Sequence, residues 1–171
     1  DPTLFSGSLR YNLDPFEVYS DDELWKALTL ADIATYFKNL NGLQSEISEN
    51  GHNLSVGQRQ LICLARAIIR QSKILIIDEA TANVDLQTDE IIQRNLRQTF
   101  DQSTVLVVAH RLNTIMDADM VIVFDHGKVV EQGVPHLLLQ DQNGYFNHMV
   151  AESNNQSLYQ LAKDAYTKKN Q

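Results

Sequence analysis

A chain of 171 residues, 43% of them hydrophobic, is long enough for about one domain with an ordinary core. Its formal net charge of -8 argues against a nucleic-acid-binding surface, which needs clustered Lys and Arg; Lys168-Lys169 is too short to count. The single cysteine, Cys63, excludes an internal disulfide, and no apolar run approaches the roughly 20 residues that cross a bilayer, so any membrane role must come from a partner segment.

The chain opens on Asp1-Pro2-Thr3-Leu4-Phe5-Ser6-Gly7 rather than on Met, which reads as a C-terminal piece of something longer. Residues 1–72 are expected to be mainly helical. Asp14-Pro15 and Asn41-Gly42 mark turns, and Ser20-Asp21-Asp22-Glu23 has the Ser-x-x-Glu form of a capping box, in which each side chain satisfies the other's backbone amide. Leu24, Trp25, Ala27, Leu28 and Ala31 follow it, so a short helix starts near Ser20. Over residues 55–70 Leu61, Leu64, Ala65 and Ile68 recur at helical spacing, widened by Ile62, Cys63 and Ile69, which predicts a largely buried helix with Cys63 as a packing residue.

Beyond Ser72 the pattern changes to short apolar runs, 74–77, 104–109 and 120–124, which read as central strands of a parallel sheet buried on both faces. Residues 86–100 supply the helical crossover that a parallel pair requires. After a turn at Asp125-His126-Gly127, residues 127–133 read as an edge strand and Pro135 as the start of a short helix. Ser153-Asn154-Asn155-Gln156 is a second capping-box form, followed by Leu158, Leu161, Ala162 and Ala165 on one helical face and a frayed end from Thr167. The expected organisation is 1–72 helical, 73–150 sheet core, and 151–171 a C-terminal helix and tail.

Three places carry chemistry. In Leu54-Ser55-Val56-Gly57-Gln58, Ser55 caps a long helix and Gly57 lets a phosphate approach the backbone without a Cβ in the way. The helix start offers unpaired amides and a positive dipole end, to which the Ser55 hydroxyl and the Gln58 amide add hydrogen bonds. An ordinary capped helix with an incidental glycine would show the same string. Asp78-Glu79 follows the strand at 74–77, at the strand end where open α/β sheets bind ligands. Successive strand residues point opposite ways, so one carboxylate can face a metal and the next a water, the bland alternative being a solvated strand end. His110 closes the next strand and should reach the same sheet edge, where it either contacts a phosphate or caps the following turn. His52, His126, His136 and His148 have no such context. Nothing in the chain matches the Gly-rich, Gly-Lys-Ser/Thr phosphate loop; Gly127-Lys128 is followed by Val129 and lacks the upstream glycine.

In order, Leu54-Ser55-Val56-Gly57-Gln58-Arg59-Gln60, Ile76-Ile77-Asp78-Glu79-Ala80-Thr81-Ala82-Asn83-Val84-Asp85 and Ala109-His110-Arg111-Leu112 resemble the signature, the Walker B with D-loop, and the H-loop of ABC ATPases. The opening Leu4-Phe5-Ser6-Gly7-Ser8-Leu9-Arg10-Tyr11-Asn12-Leu13-Asp14-Pro15-Phe16 is similar to the C subfamily, the multidrug resistance-associated proteins, and to their second nucleotide-binding domain, with the likeness weakening after Glu152. The resemblance implies an α/β fold: a partial P-loop NTPase domain with a helical subdomain and a parallel-sheet core lacking the Walker A strand and loop. It implies ATP and Mg²⁺ as cofactors, with Asp78 on the metal, Glu79 polarising the attacking water and His110 at the γ-phosphate. Ser55, Val56, Gly57 and Gln58 would reach in trans to ATP held by the first nucleotide-binding domain, and Asp85 would lie at the dimer seam. Val56 departs from the usual glycine, which puts the hydrolytic competence of that trans site in question.

The partners so implied are the first nucleotide-binding domain and the transmembrane domains of an organic-anion exporter, with this part on the cytoplasmic face of a membrane, expected to be the plasma membrane, and with little or no ATPase activity expected of the chain alone. The alternatives are a soluble ABC ATPase working on chromosomes or translation, and a truncated, non-hydrolytic dimerisation module.

Overall fold

The computed structural model describes residues 3–78, 86–109 and 111–170, and the side chains of all of these except Leu86 and Gln87. The chain divides into two units, Asp1–Val108 and Ala109–Gln171.

In the first unit strand β1 (Gly7–Ser8) runs into helix α1 (Leu9–Leu13), capped by Ser8, whose hydroxyl accepts from the Tyr11 amide at 3.1 Å. Helix α2 (Asp21–Leu30) begins with the expected capping box. Glu23 accepts from the Ser20 amide at 2.8 Å and Ser20 Oγ accepts from the Glu23 amide at 3.4 Å. The bonds that its carboxylate accepts, from the Ser20 amide foremost and then from the Ser20 hydroxyl at 2.7 Å, hold the Glu23 carboxyl below its ordinary range. After helix α3 (Ala34–Lys38), strand β2 (Glu46–Ile47) pairs antiparallel with β1, a two-residue ladder within the part expected to be helical.

Helix α4 (Val56–Arg70) buries Leu61, Ile62, Leu64, Ala65, Ile68 and Ile69 and packs on α2, and Gln71 ends it in the left-handed region at φ 47, ψ 45. Strand β3 (Ile74–Asp78), helix α5 (Leu86–Thr99) and strand β4 (Thr104–Val108) then form the expected βαβ unit, parallel and in register from Ile74 opposite Thr104 to Asp78 opposite Val108.

These strands are not buried on both faces as the apolar runs predict. Leu75, Ile77 and Val105 pack against the core, whereas Ile74 is 63% exposed, Ile76 69%, Leu106 51% and Val108 55%. The physical reason is layer count. Among the described residues β3 and β4 pair only with each other, and side chains alternating across the pleat reach the helical core from one face alone.

The second unit holds strands β5 (Val121–Asp125) and β6 (Lys128–Gly133). The sequence suggests that the run at 120–124 joins the parallel sheet. Instead, among the described residues, it pairs antiparallel with β6, because His126 (φ 46) and Gly127 (φ 74) form a tight turn that folds the chain straight back. Helix α6 (Pro135–Leu138) carries Pro135 in its first turn, where a missing N–H costs nothing. Helix α7 (Tyr145–Glu152) has its first turn held by Glu131, whose carboxylate accepts from the Phe146 amide at 2.6 Å.

Helix α8 (Ser157–Lys169) corrects two expectations. Ser153 is not its cap: it follows α7 and donates its hydroxyl back to the Val150 carbonyl at 2.6 Å, while the Asn155 side chain accepts from the Ser157 amide at 3.2 Å. Nor does the helix fray at Thr167, since Lys169 Nζ donates to the Asp117 carbonyl at 2.6 Å and meets Asp119 at 2.7 Å. Leu158 and Ala162 face the core of this unit with Phe146 and Val150, and Leu161 points outward.

Two substitutions separate core from exposed sheet. Ile62→Ala should lower stability by about 2–5 kcal/mol in urea denaturation, because Ile62 is fully enclosed. Ile76→Thr should change it by only about 0.5 kcal/mol while reducing self-association in analytical ultracentrifugation, by interrupting an exposed apolar face.

Candidate functional site

Ser55 sits immediately before α4 with φ -65 and ψ 161, the extended geometry of a helix cap. Its hydroxyl oxygen accepts from the Gln58 amide at 3.1 Å, and Gln58 Oε1 accepts from the Ser55 amide at 2.9 Å. This reciprocal pair occupies one acceptor position on each oxygen. The donors left over are the Ser55 hydroxyl proton, the Gln58 side-chain NH₂, and the Val56 and Gly57 amides, which as first-turn groups have no carbonyl within the helix to reach. Donors on a positive dipole end favour an anion. Ser55 is exposed, and Val56 and Gln58 are half-buried.

Gly57 is placed differently from the simple expectation. It is buried, and a Cβ built on it would lie 3.1 Å from both Cγ2 and Oγ1 of Thr88 on α5. The missing side chain therefore leaves room for a neighbouring helix. The tight approach brings the start of α4 against the first turn of the helix that follows Asp85.

Asp78 ends β3, opposite Val108, with its side chain exposed. Among the described residues no three His, Cys, Asp or Glu side chains converge as a metal site would require. A single exposed carboxylate at a strand end suits a cation held mostly by water and phosphate, as Mg²⁺ usually is, and does not suit an all-protein cage. Glu79, Asp85 and His110 lie outside the described residues.

Two arginines on α4 were not singled out by motif reading. Arg59 Nη1 donates to the Leu54 carbonyl at 2.9 Å and the Gly51 carbonyl at 3.3 Å, strapping the loop before Ser55 onto the helix. Gly51 takes φ 67, and a Cβ there would meet Leu4 at 2.7 Å and Arg59 at 2.8 Å. One heptad further on, Arg66 reaches back to Thr3 and Asn12. The sequence carries a signal for them: two long cations seven residues apart lie on one side of the helix, between Ile62 and Cys63 at the border of its apolar face. Burial pushes the Arg66 pKa down and the Cys63 thiol up, the latter partly offset by the adjacent guanidinium. Cys63 is accordingly a packing residue with little thiolate character.

Residues 3–82 match the ABC transporter family model. The chain is 56% identical to ATP-binding cassette sub-family C member 2 of Rattus norvegicus over 147 residues, covering 85% of this chain and 10% of that protein. It is 51% identical to multidrug resistance protein mrp-7 of Caenorhabditis elegans over 161 residues, or 94% of this chain and 11% of that protein. With ATP-binding cassette sub-family C member 4 of Homo sapiens the identity is 48% over 174 aligned positions, covering 99% of this chain and 13% of that protein. The chain thus spans about a tenth of the length of these relatives.

The contact at Gly57 makes a double-mutant test. Gly57→Ala should be more favourable, by about 0.5–3 kcal/mol, in a Thr88→Ala background than in the natural sequence. Thermal unfolding of the four proteins measures this, and strict additivity would mean that Thr88 does not set the space at Gly57.

Proposed function

The chain belongs to the ABC transporter family, as part of a P-loop ATPase domain of the C-subfamily type, and on that premise we propose that it serves ATP binding and hydrolysis in an exporter of organic anions or xenobiotics. The observation that carries the reading is the Ser55–Gln58 capping box. It presents a preorganised set of donors at the start of a rigid, buried helix. We place this turn in trans, against the γ-phosphate of a nucleotide held by the partner nucleotide-binding domain, with Asp85 at the seam between the two.

In this reading Asp78 would hold Mg²⁺ through water, Glu79 would polarise the attacking water and His110 would contact the γ-phosphate. Bound nucleotide supplies the phosphoanhydride whose hydrolysis drives the cycle. The chain's own residues orient its terminal phosphate, hold the water in line and shield the reaction from bulk solvent. Residues 1–72 act as the helical subdomain, 73–150 as the Walker B to H-loop part of the core, and 151–171 as an appended helix. No helix among the described residues is long and apolar enough to cross a membrane. In this reading transmembrane partner domains form the transport path and this part works on their cytoplasmic side. The Gly-Lys-Ser/Thr phosphate loop is missing from these 171 residues, so the chain alone is inert in this reading.

Two measurements test it. In the full-length transporter carrying this sequence, Glu79→Gln should keep nucleotide binding and lower the hydrolysis rate about 10²- to 10⁴-fold; undiminished turnover would remove Glu79 from the reaction. Purified 1–171, folded by circular dichroism, should show no saturable binding of a fluorescent ATP analogue with Mg²⁺. Saturable micromolar binding would show that this half of the site suffices by itself.

A further inference from the structure

The side chain of Arg66 lies on α4 eleven residues beyond Ser55, about 16 Å along the helix axis. It spends its donors on one small target. Nε donates to the Asn12 carbonyl at 2.5 Å, Nη2 to Asn12 Oδ1 at 2.9 Å and Nη1 to the Thr3 carbonyl at 2.6 Å, the last also lying 4.0 Å from Cys63 Sγ on the same helix. Asn12 is 2% exposed, and its amide is used completely. Oδ1 also accepts from the Phe5 amide at 2.9 Å, while Nδ2 donates to the Phe5 carbonyl at 2.8 Å and the Ser8 carbonyl at 3.1 Å. Leu4, Leu9 and Leu13 pack into the core beside this hub. A planar, charged fork is needed here: a lysine ammonium is a point donor and cannot address two carbonyls and an amide oxygen lying in different directions.

From this geometry we infer that Arg66 is a positioning residue for the signature turn. It locks α4 to the segment holding Thr3, Phe5 and Asn12, so that this segment and the donors at Ser55 and Gln58 move as one body. Three features support a positioning role over simple fold stabilisation. The bonds join parts of the chain 54 and 63 residues apart. They grip backbone carbonyls, and so set the path of the segment and not merely the position of one side chain. And the same helix carries the second strap, Arg59, which holds Gly51 and Leu54 just ahead of Ser55. The two guanidinium groups thus brace α4 against the segment at 51–54 and the segment holding Thr3 and Asn12.

The inference rests on the reading of Ser55 to Gln58 as a phosphate-facing turn, and the experiment keeps the two apart. In the full-length transporter carrying this sequence, Arg66→Lys and Arg66→Met are compared with Ser55→Ala by ATPase kinetics and by hydrogen exchange at the Gln58 and Arg59 amides, which bond to Ser55. The expected result is exchange faster by about tenfold or more at those two amides, unchanged exchange in α2, and a kcat lower by about ten- to a hundredfold with KM for ATP nearly constant, in both Arg66 variants. Unchanged exchange at Gln58 and Arg59 overturns the inference, as does acceleration spread equally through α2, which is what a merely structural residue would give. Full activity in Arg66→Lys also overturns it, since charge alone would then suffice. If Ser55→Ala leaves kcat intact, the phosphate-facing reading is what fails, and the exchange data alone decide whether Arg66 locks the helix.

Discussion

Burial of one face of α4 is the constraint on which the first unit is built. Leu61, Ile62, Leu64, Ala65, Ile68 and Ile69 are enclosed together, and α2, α5 and the inward face of β3 and β4 gather on the same core. At about 25 cal/mol per Å² of apolar surface, a face of this kind outweighs any single hydrogen bond in the unit. A helix so fixed cannot rotate without exposing that face. Its first turn, which would otherwise be free to fray, is therefore held at a set orientation, and the capping box, Arg59 and Thr88 refine it.

The polar groups around this helix are arranged so that acceptors are engaged within the chain while donors at its first turn are left over. Ser55 Oγ and Gln58 Oε1 are both occupied by backbone amides, and the carbonyls of Gly51, Leu54, Asn12 and Thr3 are taken by arginines. Leftover donors at a positive helix end favour an oxyanion over a cation. Complementarity of this type requires no rearrangement when charge arrives, which is the condition under which fixed dipoles contribute most to phosphate chemistry.

The parallel pair shows a different balance. Its inner face supplies Leu75, Ile77 and Val105 to the core, and its outer face presents Ile74, Ile76, Leu106 and Val108 to solvent beside the exposed carboxylate of Asp78. Contiguous exposed apolar strands are unusual on a monomeric soluble surface. Among the described residues they also have no further strand on either outer edge, an arrangement that favours association. The apolar runs do form strands, but a run reports only that both faces are fit for burial. Whether both are buried depends on how many layers the fold brings to them.

Local chemistry was legible wherever a short-range rule decides the outcome. Ser20 with Glu23 and Ser55 with Gln58 form their capping boxes because the partners are three residues apart, and the apolar period places α4 and its buried face. The βαβ unit follows from run length and crossover length alone, as does the His126-Gly127 turn from its residue types. The same rule misled at Ser153, where the hydroxyl had a nearer partner in the Val150 carbonyl, and at the end of α8, where Lys169 found Asp117 and Asp119 some fifty residues away. By itself, then, the sequence determined the strongly patterned elements, the caps at Ser20 and Ser55 and the order of the motifs, since these depend on neighbours within a few positions. The tertiary structure alone decided that Gly57 makes room for Thr88, that Arg66 holds Thr3 and Asn12, and that β3 and β4 keep one face open, because each is a contact between segments whose spacing along the chain carries no information about their distance in space.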